Sequence, residues 1–276
     1  MISQTKISDT GTEIIYNDRE NKNVVDKFAE RLDENSFFPR KNITEIKSDK
    51  GHEVFEWRFD NSVYFIKNYA YDRYAKRFKN LFRAAEAKRV LKIYKKLLSV
   101  KVRVLPIIGA VDYSSSFTFK KSLIISKFIA GVNLEDVFNN IEHAGTRKRA
   151  LEAFADFKAD MFRKNIYNGD PSLSNYFLEK EKGQFELRLM DLDNITEHTL
   201  FKKYFIKKSL SKMLAIIYSR RTDMLYSEKQ NLLKMILAKL GVNNVNNKYN
   251  KIYSHTKKRL KSWGFENIIK QHGELQ

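Results

Sequence analysis

Cysteine is absent from this 276-residue chain. That excludes a disulfide scaffold, a thiolate nucleophile and any Cys-ligated metal site. Glycine and proline are scarce, at 10 and 3 residues, and no low-complexity linker interrupts the sequence. No apolar run approaches the ~20 residues that span a bilayer; Leu123–Ile129 is too short and reads as a buried strand. The opening residues, MISQTKISDTGTEIIYNDRE, carry no apolar h-region and do not read as a signal peptide. A reducing, cytoplasmic setting is the resulting expectation. No zinc-ligand spacing, RNA-recognition motif or helix-turn-helix signature is present, so nucleic acid is not an expected partner.

What is present is positive charge and hydrophobic bulk. The formal net charge is +19 and hydrophobic residues make up 42%, enough to build one large domain or two lobes with a real core. Such a basic balance suits an anionic partner, whether nucleic acid, an anionic lipid surface or a phosphorylated substrate, and suits equally a solvated lysine-rich face.

Periodicity orders the elements. A short strand at Thr12–Tyr16 and a helix near Asn23–Leu32 precede three strand-like runs, Ile43–Lys47, Val54–Phe59 and Val63–Tyr69, separated by polar turns. A long helix follows at about Arg73–Leu98. In it Glu86 lies four residues from both Phe82 and Val90, within the apolar stripe. A carboxylate facing a core needs a partner; Arg83, Lys88 and Arg89 are local ones, and at the edge of the stripe Glu86 is otherwise solvated. Strands are expected over Val102–Val111 and Phe117–Ile129. After them Asn133 can cap a helix carrying Glu135 and Asp136 in its first turn. Thr146–Lys164 is an amphipathic helix, and further helices fall around Phe201–Tyr218, Ser227–Leu240 and Tyr253–Gln271.

The chemistry concentrates between Tyr167 and Asn194, YNGDPSLSNYFLEKEKGQFELRLMDLDN. Asp170 and Asn175 flank a Pro-containing loop, and Asp191 follows the alternating run Phe185–Met190. Taken alone, Asp170–Asn175 is also a plain polar turn. Together with Asp191 it supplies what phosphoryl transfer requires: one carboxylate to position the attacking hydroxyl, and an amide and a second carboxylate to hold Mg²⁺ on the phosphates. Asp193 adds a further carboxylate, on the same side as Asp191 if the strand continues.

This segment resembles the D-x-x-x-x-N loop and D-F-G strand of the protein-kinase-like superfamily. Lys67 in VYFIKNY resembles the lysine of V-A-I-K, although an ordinary exposed strand lysine reads the same way. With IISKFIAGVNLEDV, NGDPSLSNYFL and RLMDLDN, most of the chain is similar to the lipopolysaccharide core heptose (II) kinases, a bacterial branch of that superfamily. The resemblance implies an α+β, two-lobed fold. Residues 1–130 would form an antiparallel-sheet lobe with one long helix, and residues 131–276 a mainly helical lobe. It implies Asp170 as the catalytic group and Asn175, Asp191 and Asp193 around Mg²⁺. Lys67, Glu86 and the backbone of Lys127 and Ile129 would hold ATP. Asn168 stands where the superfamily places a histidine, Leu192 and Asp193 replace Phe and Gly, and only Gly51 marks a turn that could cover phosphates. The implied reaction is phosphorylation of a heptose hydroxyl in the lipopolysaccharide inner core, at the cytoplasmic face of the inner membrane. An aminoglycoside- or choline-type kinase, or a protein phosphotransferase, would use the same site residues. The segment Leu200–Leu214, with Arg220, Arg221 and Lys257–Lys261, could meet the membrane or the core oligosaccharide, or be a solvated helix face.

Overall fold

The structure is a computed structural model that describes residues 4–7, 12–17, 21–30, 43–49, 52–69, 86–116, 119–140, 144–181, 184–219 and 223–268. The expected helical stretch from Arg73 to Ala85, the turn at Gly51, Arg220, Arg221 and the end of the tail lie outside them. The chain divides into two compact units, residues 1–98 with 105–129 and residues 99–104 with 130–276.

The first unit is built on a seven-stranded antiparallel sheet. Its strands are β1 (Gln4–Ile7), β2 (Glu13–Tyr16), β3 (Ile43–Asp49), β4 (His52–Phe59), β5 (Ser62–Tyr69), β6 (Ile107–Ser116) and β7 (Phe119–Lys127), in the order β1-β2-β6-β7-β5-β4-β3. The β3–β5 meander follows from two-residue alternation broken by polar turns. Phe55 and Trp57 of β4, and Tyr64 and Ile66 of β5, point to one face and are buried there. Helix α1 (Lys22–Glu30) covers that face with Val25 and Phe28, and the Phe28 and Trp57 rings lie 5.1 Å apart. The close approach of α1 requires Gly109. A Cβ at that position would stand 2.6 Å from Val25 Cγ2 and 2.9 Å from the Ile15 carbonyl. Parity puts Lys67 on the opposite face, with Val63 and Phe65. Helix α2 (Glu86–Ser99) buries Ala87, Val90, Leu91, Tyr94 and Leu97.

One expected strand is shorter than its hydrophobicity implies. The segment Val102–Val104 buries both its valines but does not join β6, which starts at Ile107 beyond Pro106. The segment belongs to the second unit instead, where Leu189 N donates to Arg103 O at 3.1 Å and Val104 bridges Leu189.

The second unit is mainly helical. It contains β8 (Val132–Asn133), α3 (Leu134–Asn139), α4 (Ala144–Arg163), β9 (Ile166–Asn168), a 3₁₀ turn (Leu173–Asn175), the hairpin β10 (Tyr176–Glu181) and β11 (Gln184–Leu189), and β12 (Ile195–Glu197). Helices α5 (Lys202–Ser219), α6 (Tyr226–Lys239) and α7 (Val245–Ser262) complete it, with α5 packed on α7 and α4 on α6. The last helix begins earlier and ends sooner than Tyr253–Gln271. Asn244 caps its start by accepting from Asn247 N at 3.0 Å, which converts an Asn-rich loop signal into a helix start. Its end is set by Gly264, whose φ of +82° suits the left-handed position after a helix; Phe265 N returns to Leu260 O at 2.9 Å.

Candidate active site

Two chain segments, Asn168–Asn175 and Leu189–Ile195, are clamped together at both ends. At one end β9 pairs with β12, Asn168 opposite Ile195, and Gly169 N donates to Asn194 O at 2.8 Å. The approach is tight: a Cβ on Gly169 would lie 3.0 Å from that same carbonyl. At the other end β10 pairs with β11, and the ladder is extended by Met190 N donating to Asn175 O at 2.9 Å. Asp170 and Asp191 therefore sit on neighbouring arms whose ends are fixed by backbone hydrogen bonds.

Within the first arm Asn175 Nδ2 donates to Asp170 O at 2.9 Å and to Asp170 Oδ2 at 3.2 Å. The amide nitrogen thus orients the carboxylate, and the amide oxygen faces elsewhere. Pro171 fixes φ between them. Asn133, the cap of α3, accepts from Glu135 N at 2.9 Å and donates to Ser174 O at 2.8 Å, which ties the loop to that helix. Lys212 of α5 donates from Nζ to Gly169 O.

The second arm differs from the expected strand. β11 stops at Leu189, Leu192 is buried, and Asp193 N donates to Asp191 Oδ1 at 3.1 Å. This is an Asx-type turn, so the strand rule that would aim Asp191 and Asp193 to the same side does not apply.

Beneath the loop lies a group that the motif reading missed. Asn168 Oδ1 accepts from Asp170 N at 2.8 Å, and its Nδ2 donates to the Tyr176 hydroxyl at 3.2 Å. Asn168 therefore supports the loop from the position the superfamily gives to histidine. Lys158 of α4, 0% exposed, donates to the same hydroxyl at 3.3 Å. Its ammonium lies 5.1 Å from the Phe162 ring centroid and 5.7 Å from that of Tyr176. Burial lowers the Lys158 pKa from 10.5 to about 7 and raises that of Tyr176. The signal was in the sequence: Lys158 is four residues from both Phe154 and Phe162, on the buried stripe of α4.

In the first unit, Lys67 Nζ lies 5.1 Å from the Tyr69 ring centroid. Glu86 of α2 accepts from Arg89 Nη1 at 2.7 Å, one of the local partners the sequence offered. Both residues take part in further interactions. At the end of β7, Lys127 N donates to Pro106 O at 2.9 Å and Phe128 N to Val63 O at 3.0 Å.

A Mg²⁺–nucleotide complex requires hard oxygen donors, and the side chains of Asn175, Asp191 and Asp193 carry oxygens of that kind. Among the described residues no three His, Cys, Asp or Glu side chains cluster to enclose a metal by themselves. Mg²⁺ needs no such cage, since it keeps several waters and takes one or two carboxylates plus phosphate oxygens.

Comparison with solved structures places the fold. The chain resembles a structure described as "WaaP in complex with acyl carrier protein", with a TM-score of 0.61 at 15% identity, covering 90% of this chain and 98% of that one. No curated protein matches. The fold is thus two-lobed and kinase-like. The sequence pattern of the lipopolysaccharide kinase (Kdo/WaaP) family matches residues 50–235, and the chain belongs to that family. It is a lipopolysaccharide kinase, a phosphotransferase acting on a sugar hydroxyl.

Proposed function

We propose that the protein transfers the γ-phosphoryl group of ATP, with Mg²⁺, to a heptose hydroxyl of the lipopolysaccharide inner core. The observation that carries this reading is the Asn175–Asp170 clamp, held beside the Asp191 arm by the Met190–Asn175 hydrogen bond. Asp170 Oδ2 is occupied by Asn175, so Oδ1 is the oxygen assigned to the acceptor hydroxyl. That hydroxyl attacks phosphorus as the bond to the ADP oxygen breaks, and its proton passes to the Asp170 carboxylate. The step is largely dissociative, so holding the hydroxyl in line matters more than base strength.

Asn175, through its amide oxygen, and Asp191 hold the metal, with Asp193 as an added contact or orienter. Mg²⁺, when bound, neutralises charge on the phosphates. From the first unit, Lys67 is assigned to the α- and β-phosphates, and Glu86 to positioning Lys67. Lys127 contributes its carbonyl to the adenine edge, since its N–H is given to Pro106. Ile129 contributes its N–H. The place of action is the cytoplasmic face of the inner membrane, where the protein is peripheral. No helix among the described residues is long and apolar enough to cross a membrane.

The test is incubation with ATP, Mg²⁺ and dephosphorylated core lipopolysaccharide, followed by mass spectrometry of the glycolipid. A single added phosphate on a heptose is the expected product. Phosphate on another sugar, or on no part of the core, overturns the assignment of the acceptor.

A further inference from the structure

We infer that Leu200–Lys208, the turn before α5 and its first two turns, is a docking surface for an anionic phospholipid bilayer. Leu200 is 73% exposed, Phe201 78% and Tyr204 52%. Single exposed apolar residues are ordinary; three within five positions are not. Phe201 also holds a left-handed φ of +56°. A bulky residue there is strained, and such strain persists where function keeps it.

The start of the helix is less buried than the rest of it. No residue from Lys202 to Lys208 is buried, whereas from Ser209 to Tyr218 every residue except Lys212 is. Lys202, Lys203, Lys207 and Lys208 surround the apolar tip, and α5 contains no acidic residue. Lysines at a helix N-terminus oppose the helix dipole, so local helix stability does not account for them. Lys202 turns back to Arg163 O at 3.3 Å, and Lys208 lies 5.9 Å from the Tyr204 ring centroid. Between these side chains Phe205 points inward, stacked 3.6 Å from His198 and 5.5 Å from Tyr167. It anchors the tip to β9, the strand that leads into the Asp170 loop.

Apolar residues ringed by lysines fit the boundary between acyl chains and anionic headgroups. A second copy of the chain fits poorly, because a symmetric contact sets the same lysines against one another. The choice of lipid over other anionic surfaces rests on the reading of the acceptor as a lipid-linked sugar. Along α5, Phe201 is about 16 Å from Lys212, which contacts the loop. That span leaves room for a saccharide between the bilayer surface and the site.

The full chain is sedimented with phosphatidylcholine vesicles with and without phosphatidylglycerol, at low and high salt. Binding is expected only with phosphatidylglycerol and is expected to weaken with salt. Lys203→Gln and Lys208→Gln should each weaken it roughly fivefold. Phe201→Gly should weaken it by on the order of tenfold. Glycine accepts the left-handed φ, so this variant folds, and its thermal midpoint should equal or exceed that of the parent. Phosphorylation of a delipidated core oligosaccharide should be unchanged in all three variants. Wild-type indifference to phosphatidylglycerol, or undiminished vesicle binding by Phe201→Gly, overturns the proposal. So does a dimer that Phe201→Gly dissociates. If vesicle binding behaves as stated and no core sugar is phosphorylated, the acceptor reading falls and the docking surface stands.

Discussion

Replacing Lys158 by methionine should stabilise the protein at neutral pH and flatten its dependence on pH. The Lys158 amine is fully buried against a phenol and two ring faces, and burial alone lowers its pKa from 10.5 to about 7. A base whose folded pKa lies below its unfolded value makes the unfolded chain bind more protons between those two values. Stability therefore rises with pH through that window and is lowest, on a plateau, below the folded pKa. For this group the destabilisation is about 4 kcal/mol at pH 7 and about 2 kcal/mol at pH 9. Methionine matches the length and removes the titration, at the loss of one hydrogen bond to Tyr176 worth about 1 kcal/mol. Urea unfolding at pH values between those two limits measures the difference. Lys158→Met should exceed the parent by roughly 3 kcal/mol at the lower limit, and the gap should shrink by about 2 kcal/mol at the upper. Lys229, whose pKa burial also lowers, is present in both chains and cancels. The series stops short of tyrosine ionisation, because the raised pKa of Tyr176 acts in the opposite sense above that point. Parallel pH curves for the two chains would refute the reasoning.

Asn168→Ala should destabilise the fold by about 1–3 kcal/mol, since it strips a partner from the buried Tyr176 hydroxyl and from Asp170 N. It should also lower kcat with little change in KM for ATP, as steady-state kinetics would show. Gly109→Ala forces a Cβ to within 2.6 Å of Val25 and 2.9 Å of a backbone oxygen. A loss of about 1–3 kcal/mol in urea unfolding is expected. Omitting Mg²⁺ should abolish transfer, and Asn175→Ala should raise the Mg²⁺ concentration needed for half-maximal rate, measured by titration.

Much of this molecule is legible in its sequence because its signals are local. Alternation in Val54–Phe59 and Val63–Tyr69 fixes which face carries Trp57 and Ile66, and so which carries Lys67. The spacing of Asp170, Asn175 and Asp191 survives in the structure as two arms clamped by β9–β12 and β10–β11. The illegible parts depend on contacts distant in sequence. The strand Gln4–Ile7 gains its meaning only by pairing with β2, itself paired to β6 more than ninety residues on. Val102–Val104 looks like the start of a strand because its valines are apolar, but Val104 bridges Leu189 and the segment belongs to the second unit. Lys158 looks like one more lysine in a basic chain until its neighbours on the helical wheel are counted. Met190–Asp193 looks like the end of a strand, and the Asp193–Asp191 turn redirects it.

We propose that Asp170, Asn175 and Asp191 act as one phosphoryl-transfer unit. The most direct measurement is the kcat for core phosphorylation by Asp170→Asn, by Asp191→Ala and by the double variant, each checked for an unchanged thermal midpoint. Each single change should lower kcat by on the order of 10²–10⁴, and the double should lose little more than the worse single, as for residues that act together. Parental rates in Asp170→Asn, or losses that multiply in the double variant, would contradict the account.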